Sequence, residues 1–543
     1  MVLENQTTYD RTNKIWYGRK TKSRFDSDSS IGSVIFDTLQ KNPDHISQIC
    51  YPSNKKYTNK EILTLSIRVA QHLEKLKIKQ SAVIGICAGN SDFLAPLVFG
   101  CMFRGLTIST LDPSFDKDGI KHIYSITKPK LMFCDGSAYD KIKESFVECG
   151  LASTKIVTVR DHIEGVPSLE RFLKETGTEN EFRCVDLDDG YDQTAVIICS
   201  SGTTGLPKGV CESHASILNI LKLPSSPSIL CFSSIYWISG IFALITGTIQ
   251  NMTRIISYQP FNPDDALEII KLYNVELFLA PPNQLALMLA SSKFDKDYLT
   301  SVKLYFMLGS PLSFKLVEKM KNYLPHALIY NGYGMSEVCG GIAGGLAISK
   351  GNCGQLFDNL ELKVIDDDGR KLEEFVVGEI YVRTPYTWSG YYGNNEATSE
   401  VYDSERWVHT GDLGYVDDKG CVYVIDRKKD ILKYNNFHFF PTKIEHVLLE
   451  LPDIVEVCVC GIPDVMCNFL PAAAVVKTAN STLTEEEVYK QSTKLQNFKH
   501  LRGGVYFVEQ LPKTISGKVL RRKVTELCTE LYRAKNPAAE EDL

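Results

Sequence analysis

From about residue 33 onward, short apolar runs alternate with amphipathic stretches. Residues 82–87, 131–135, 156–159 and 195–199 are apolar runs of strand length and read as buried strands. Residues 93–104 read as a helix. Residues 264–273 read as another, leading into a strand at 277–280, and 304–308 and 328–330 read as further strands. Strands alternating with helices predict parallel α/β layers. From 360 to 424 the rhythm shortens to small strands separated by turns such as Asp366-Asp367-Asp368-Gly369 and Asp417-Asp418-Lys419-Gly420, which predicts a β-rich subdomain. A basic junction follows, Asp426-Arg427-Lys428-Lys429-Asp430. Beyond it a helix at 443–450, a strand at 455–460 and a helix at 483–495 predict a small α+β domain. Residues 1–30 read as a flexible arm and 531–543 as a charged, disordered tail.

A chain of 543 residues is too long for one ordinary core, so two or more domains are expected. The most apolar region, 234–249, is short and interrupted by Ser and Gly, and reads as core rather than as a bilayer span. The net charge of −6 gives no general attraction to nucleic acid. The sixteen cysteines are scattered singly, which favours free thiols in a reducing compartment. The polar start lacks a signal-peptide core, and the Glu-Glu-Asp-Leu end is not a Ser-Lys-Leu address. A cytoplasmic location is expected, with room for peripheral membrane contact.

The candidate chemistry begins at residues 200–210, S-S-G-T-T-G-L-P-K-G-V. Gly202 and Gly205 let backbone N–H groups approach a phosphate. Ser200, Ser201, Thr203 and Thr204 add hydroxyl donors, and Lys208 adds charge. It is not a Walker A loop, because Pro207 stands where that pattern needs its second Gly. A flexible polar loop is the bland alternative. Asn331-Gly332-Tyr333-Gly334-Met335-Ser336-Glu337 follows a predicted strand. Its glycine turn suits a flat ring lying on backbone, with Tyr333 stacking and Glu337 reaching a cation; the alternative is an ordinary helix start. In His409-Thr410-Gly411-Asp412-Leu413-Gly414, Asp412 sits between two glycines, where it can accept both ribose hydroxyls or simply serve a β-turn. Lys518 ends residues 511–518 on a glycine turn, where a surface lysine is the plain reading.

Taken together and in this order, these strings resemble the adenylate-forming, AMP-binding enzymes: acyl-CoA synthetases, beetle luciferases and peptide-synthetase adenylation domains. The stretch 501–518 is most similar to insect luciferase-like acyl-CoA synthetases. The resemblance implies an α/β fold: a large N-terminal region (31–426) of two α/β subdomains plus a β-barrel, a hinge at 427–433 with Lys429 as pivot, and a small mobile α+β lid at 434–530. It implies ATP, Mg²⁺ and coenzyme A as cofactors and a small carboxylic acid as partner. The 200–208 loop would hold phosphates. Ser310 and residues 331–336 (Asn331, Gly332, Tyr333, Gly334, Met335, Ser336) would lie along the nucleotide. Asp412 and Arg427 would hold ribose. Mg²⁺ would sit by Thr203 and Glu337, and Lys518, Lys433 and Glu337 would be catalytic.

The chain also departs from that pattern. Asn436 stands where luciferases have Gly, adding a side chain where the pantetheine arm of coenzyme A is expected. Tyr236-Trp237-Ile238-Ser239-Gly240 replaces the luciferase His-His-Gly-Phe-Gly, so Trp237 takes the luciferin-side position and looks like the gate of fatty-acyl-CoA synthetases. Gly340 and Gly341, with Gly344 and Gly345 beyond, suggest a roomy apolar acyl tunnel, with a flexible glycine loop as the alternative, and Gly309 is counted with the acid pocket. The leading expectation is therefore a carboxylate–CoA ligase for a medium- or long-chain fatty acid. The alternatives are a luciferase-like monooxygenase acting on an adenylated acid, and a weakly active relative that only binds nucleotide.

Overall fold

The computed structural model describes residues 6–26, 28–200, 207–220, 225–310, 312, 314–347, 349, 351–435, 437–464, 466–478, 480–513 and 519–536. A six-stranded sheet runs Lys208–Ser213, Thr194–Ser200, Thr107–Leu111, Val83–Cys87, Leu131–Cys134, Lys155–Thr158. Its strands are parallel except the first, which returns antiparallel along Thr194–Ser200. Apolar side chains cover both faces, as a parallel sheet requires. The helix Leu94–Phe103 is buried along its whole length.

The second sheet begins as a parallel set: Leu328–Tyr333, Leu304–Met307, Leu277–Ala280, Ser228–Leu230, Thr253–Ser257 and Ile46–Tyr51. It continues through antiparallel strands, which supply the β-rich part of the N-terminal region. The helix Ile238–Ile249 is apolar all round and almost wholly buried, in keeping with the core reading of 234–249. Among the described residues no helix is long and apolar enough to cross a membrane.

The small domain carries five strands, Leu432–Tyr434, Phe437–Phe439, Ile454–Asp464, Asn468–Lys477 and Gly504–Phe507. Helices Pro441–Leu448, Glu485–Ser492 and Arg521–Lys535 pack on them. The architecture is the expected one: a large N-terminal region of mixed sheets and a smaller C-terminal domain.

Two expectations at the ends need correction. Residues 1–30 are not simply an arm: Thr8–Asp10 and Ile15–Tyr17 form a hairpin that pairs with Glu361–Ile365. Trp16 is completely buried there and stacks on Tyr9 at 4.5 Å. Three-residue strands are too short to announce themselves by alternation. The expected tail from 531 begins too early, because the last helix runs to Lys535 with Val524 and Cys528 buried on one face. The expected hinge is itself ordered, with a short helical turn at Lys428–Asp430 and a strand from Leu432.

Candidate functional site

The C-terminal ends of the parallel strands of both sheets open into one cleft of about 1410 Å³. Ligands of open α/β sheets bind at such strand ends. Ser200 closes one strand and Lys208 opens the next, and the two are register partners, so both ends of the glycine-rich string are brought to the cleft wall. Ser201, Gly202, Thr203, Thr204 and Gly205 lie outside the described residues, as do Asn436 and Lys518. The Lys208 ammonium lies 4.8 Å from the centre of the Tyr391 ring.

Gly332, Tyr333, Gly334, Met335, Ser336 and Glu337 all line the cleft, with Gly309 and Ser310 from the neighbouring strand end. Gly334 is required by close approach: a Cβ there would lie 1.4 Å from the Gly340 carbonyl oxygen. The chain from 333 to 341 is thus doubled back tightly, with Glu337 on its turn. The Tyr391 hydroxyl donates to Glu337 Oε1 at 2.7 Å. Burial, and then the Glu337 carboxylate, hold the Tyr391 phenol above its ordinary acidity range. Asn331 faces elsewhere, since its amide donates to the Asn352 carbonyl at 2.9 Å.

Asp412 is almost fully buried and is gripped from two sides. Tyr333 donates its hydroxyl to Oδ2 at 2.7 Å, and Arg427 Nε meets Oδ1 at 3.1 Å. Burial and the nearby carboxylate raise the Tyr333 phenol well above its usual value. The ring expected to stack on a base therefore also orients the carboxylate. Lys429 reaches the cleft wall, where burial and then Arg427 pull its ammonium down. Lys428 is tied to Glu379 at 3.1 Å and Asp367 at 3.0 Å. Lys433 is exposed on its strand and does not line the cleft in this arrangement.

Trp237, Ile238 and Ser239 line the far side, and Trp237 stands edge-on to Tyr236 with ring centres 4.2 Å apart. Gly240 does not line the cleft; a Cβ there would meet the Ser234 carbonyl oxygen at 2.0 Å, so its role is packing. Gly340 and Gly341 do line it. The wall is less apolar than expected: Asn90, Asp112, Arg160, Gln259, Asn283 and Gln284 share it with Phe232, Phe242 and Phe261. Arg160 is held by Nε to Asp135 at 2.8 Å and by Nη1 to the Tyr258 carbonyl at 3.0 Å. Tyr391, Arg160 and a buried acid, Glu212, were not singled out by sequence reasoning; only Gly390-Tyr391-Tyr392-Gly393, aromatics between glycines, carried a signal.

No group of three or more His, Cys, Asp or Glu side chains among the described residues could hold a metal by itself. A Mg²⁺ held chiefly by substrate phosphates needs only one or two carboxylates, and Glu337 on the cleft wall fits that demand. Lys208 sets a cation on the cleft wall, whereas Asp412, clamped by Tyr333 and Arg427, is not itself among the residues that line the cleft but lies behind them.

Comparison with known proteins agrees. The chain matches the AMP-binding enzyme family over residues 35–392 and the AMP-binding enzyme C-terminal domain over 443–518. It is 29% identical to a probable 4-coumarate–CoA ligase 3 of Dictyostelium discoideum, over 91% of this chain and 95% of that one. It is 28% identical to the luciferase-like enzyme of the nonluminescent Zophobas morio mealworm, with a TM-score of 0.70 over 76% of this chain and 98% of that one. The anthranilate CoA ligase AuaEII, in complex with anthranoyl-AMP, shares the fold at 20% identity, with a TM-score of 0.83 over 93% of this chain and 98% of that one. The chain belongs to the AMP-binding, adenylate-forming enzyme family.

Proposed function

We propose that the protein is an ATP-dependent acid–thiol ligase that makes an acyl-adenylate and passes the acyl group to coenzyme A. The observation that carries this reading is Asp412, buried and held by Tyr333 and Arg427, two residues that line the cleft together with Lys208 and Glu337. A carboxylate fixed at both oxygens keeps lone pairs for two vicinal hydroxyls.

In the first step a carboxylate oxygen of the acid attacks the α-phosphorus of ATP, the bond to the bridging oxygen breaks, and pyrophosphate leaves. In the second the thiol sulfur of coenzyme A attacks the acyl carbon and AMP leaves. No protein nucleophile is needed; positioning and charge neutralisation carry the rate. The 200–208 loop and Lys208 hold phosphates, Asp412 and Arg427 hold ribose, and Tyr333 with the turn at 332–336 flanks the base. Mg²⁺, when bound, would be held by Glu337 and Thr203 and would neutralise phosphate charge. Lys518 joins the acid's carboxylate to the α-phosphate. For the second step the small domain turns about 427–433 and brings the Lys433 face to the cleft.

For the acid, a medium- or long-chain fatty acid remains a candidate, with Trp237 as the gate. The polar side chains along the far wall favour a second reading, a shorter or aromatic acid with a polar group at its far end, in keeping with the 4-coumarate named for a relative. The test is ATP–pyrophosphate exchange against acetate, hexanoate through stearate, 4-coumarate and luciferin, then thioester formation with coenzyme A. Exchange confined to alkyl acids selects the fatty-acid reading, and exchange confined to hydroxylated aryl acids the other. Silence with every acid sinks the ligase reading.

A further inference from the structure

Behind the far wall of the cleft lies a second, smaller cavity of about 30 Å³, lined by a buried arginine. Asn90 and Ser233 line both spaces and separate them. The arginine, Arg254, belongs to the strand Thr253–Ser257 and is 6% exposed. Its stem packs on the helix Ile238–Ile249, where a Cβ on Gly247 would lie 3.5 Å from Arg254 Cγ and Cδ. Parallel register sets Arg254 beside Gln48, and its Nη2 donates to Gln48 Oε1 at 2.6 Å. Its Nε has no hydrogen-bond partner among the described residues. Burial pulls the guanidinium down only to about 10, so it stays charged at neutral pH.

Among the described residues no carboxylate offsets this charge. No Asp or Glu lines the cavity. Asp92, next to Ser91 in the chain, is turned to Lys55 at 3.1 Å and to the Tyr57 hydroxyl at 3.0 Å. Leaving a buried charge unpaired is strongly unfavourable, which is why buried charges are found with partners.

The rest of the lining suits an anion. Ser91 is 9% exposed, and its hydroxyl has no partner among the described residues. Leu94 and Ala95, the first turn of the helix Leu94–Phe103, also line the cavity, and Phe93 at the N-cap supplies no capping side chain. The free N–H groups and the positive dipole end of a helix start favour negative charge. The volume admits one or two water-sized particles, which is room for one halide ion.

We propose that this cavity binds chloride, held by Arg254, Ser91 and the first turn of Leu94–Phe103. The ion ties a strand of the second sheet to the helix that follows Val83–Cys87 of the first. The site takes no part in the proposed ligase chemistry and stands or falls apart from it.

The experiment follows thermal unfolding as sodium chloride or sodium bromide replaces sodium gluconate at constant ionic strength. Gluconate is too large for the cavity. The unfolding temperature should rise saturably with either halide, by about 1–2 °C per tenfold above half-saturation. Crystals grown in bromide should show its anomalous signal beside Arg254 Nε and Ser91 Oγ. Arg254→Met removes the charge and keeps most of the stem. It should lose the halide response, and in gluconate it should unfold no lower than the unaltered protein, because an unpaired charge has gone. Ser91→Ala should need about tenfold more chloride for half-saturation. Equal unfolding temperatures in all three salts, or a halide response that survives in folded Arg254→Met, overturn the proposal and leave water in the cavity. A bromide signal without a response in solution means an adventitious ion only, and overturns it too. Should Arg254→Met not fold, an unchanged half-saturation in Ser91→Ala overturns it.

Discussion

Asp412 and Arg427 are register partners on neighbouring antiparallel strands, and their side chains meet at 3.1 Å. The register sets the mid-strand carboxylate of Asp412 beside the guanidinium of Arg427, which ends its strand on the cleft wall. Hydrogen bonds to a charged group are worth roughly 1.5–3 kcal/mol. On the proposed reading Asp412→Asn should raise the KM for ATP by about tenfold to a hundredfold. The KM for the acid should stay nearly constant. Varying ATP and acid separately in the exchange assay checks this, and a KM for ATP that does not change would remove Asp412 from the ribose.

Lys518 lies outside the described residues, and its proposed role is chemical. A cation shared by the acid's carboxylate and the α-phosphate acts only when the two anions meet. Losing such a preorganised donor costs on the order of 3 kcal/mol in the barrier. Lys518→Ala should therefore lose exchange by about a hundredfold or more, with an unaltered unfolding temperature. It should still make thioester from a supplied acyl-adenylate. Normal exchange in the variant would falsify the assignment.

The junction offers a way to separate the half-reactions. Lys428 is tied to Glu379 and Asp367, so the pivot has a fixed side, and Lys429 stands next to that anchor. Proline fixes its own φ and restricts the residue before it. Lys429→Pro should leave exchange within about twofold and slow thioester formation by about tenfold or more. Single-turnover measurements of each step check it; equal damage to both argues against a hinge at this residue.

Much of the fold is legible in the sequence. The strand expected at 131–135 is Leu131–Cys134, the helix at 264–273 is Pro263–Tyr273, and 195–199 falls within Thr194–Ser200. Each carries its own periodicity, so local reading suffices. Glu212 shows where local reading stops. In Val210-Cys211-Glu212-Ser213 the acid looks like a solvent-facing position of a strand, yet it is buried, with the Ser216 hydroxyl as its side-chain partner. Gly240 errs the other way: it sits among true cleft residues in sequence, yet its missing Cβ serves contact with Ser234. Tyr391 likewise comes to Glu337 through tertiary packing across 54 positions.

The last prediction concerns pH and stability. Burial pushes the His214 imidazole down to about 3, and its Nδ1 accepts the Ile31 N–H at 3.0 Å. Two residues away, burial pushes the Glu212 carboxyl up to about 8. For His214 the folded value is depressed below the ordinary 6.5, so its contribution is whole above 6.5 and is lost as pH falls toward 3. For Glu212 the folded value is raised above the ordinary 4.5, so its contribution is whole below 4.5 and is lost as pH rises toward 8. Between 4.5 and 6.5 the two slopes oppose each other and nearly cancel. Above 6.5 only Glu212 still changes, and from there to pH 8 it should remove about 2 kcal/mol of unfolding free energy. Glu212→Gln cannot ionise, so its stability should fall less over that interval by about the same 2 kcal/mol. Urea unfolding of both proteins at pH 6.5 and pH 8 measures the difference. Parallel losses in the two would mean that Glu212 is already ionised in the folded protein, and that a cation or solvent reaches it.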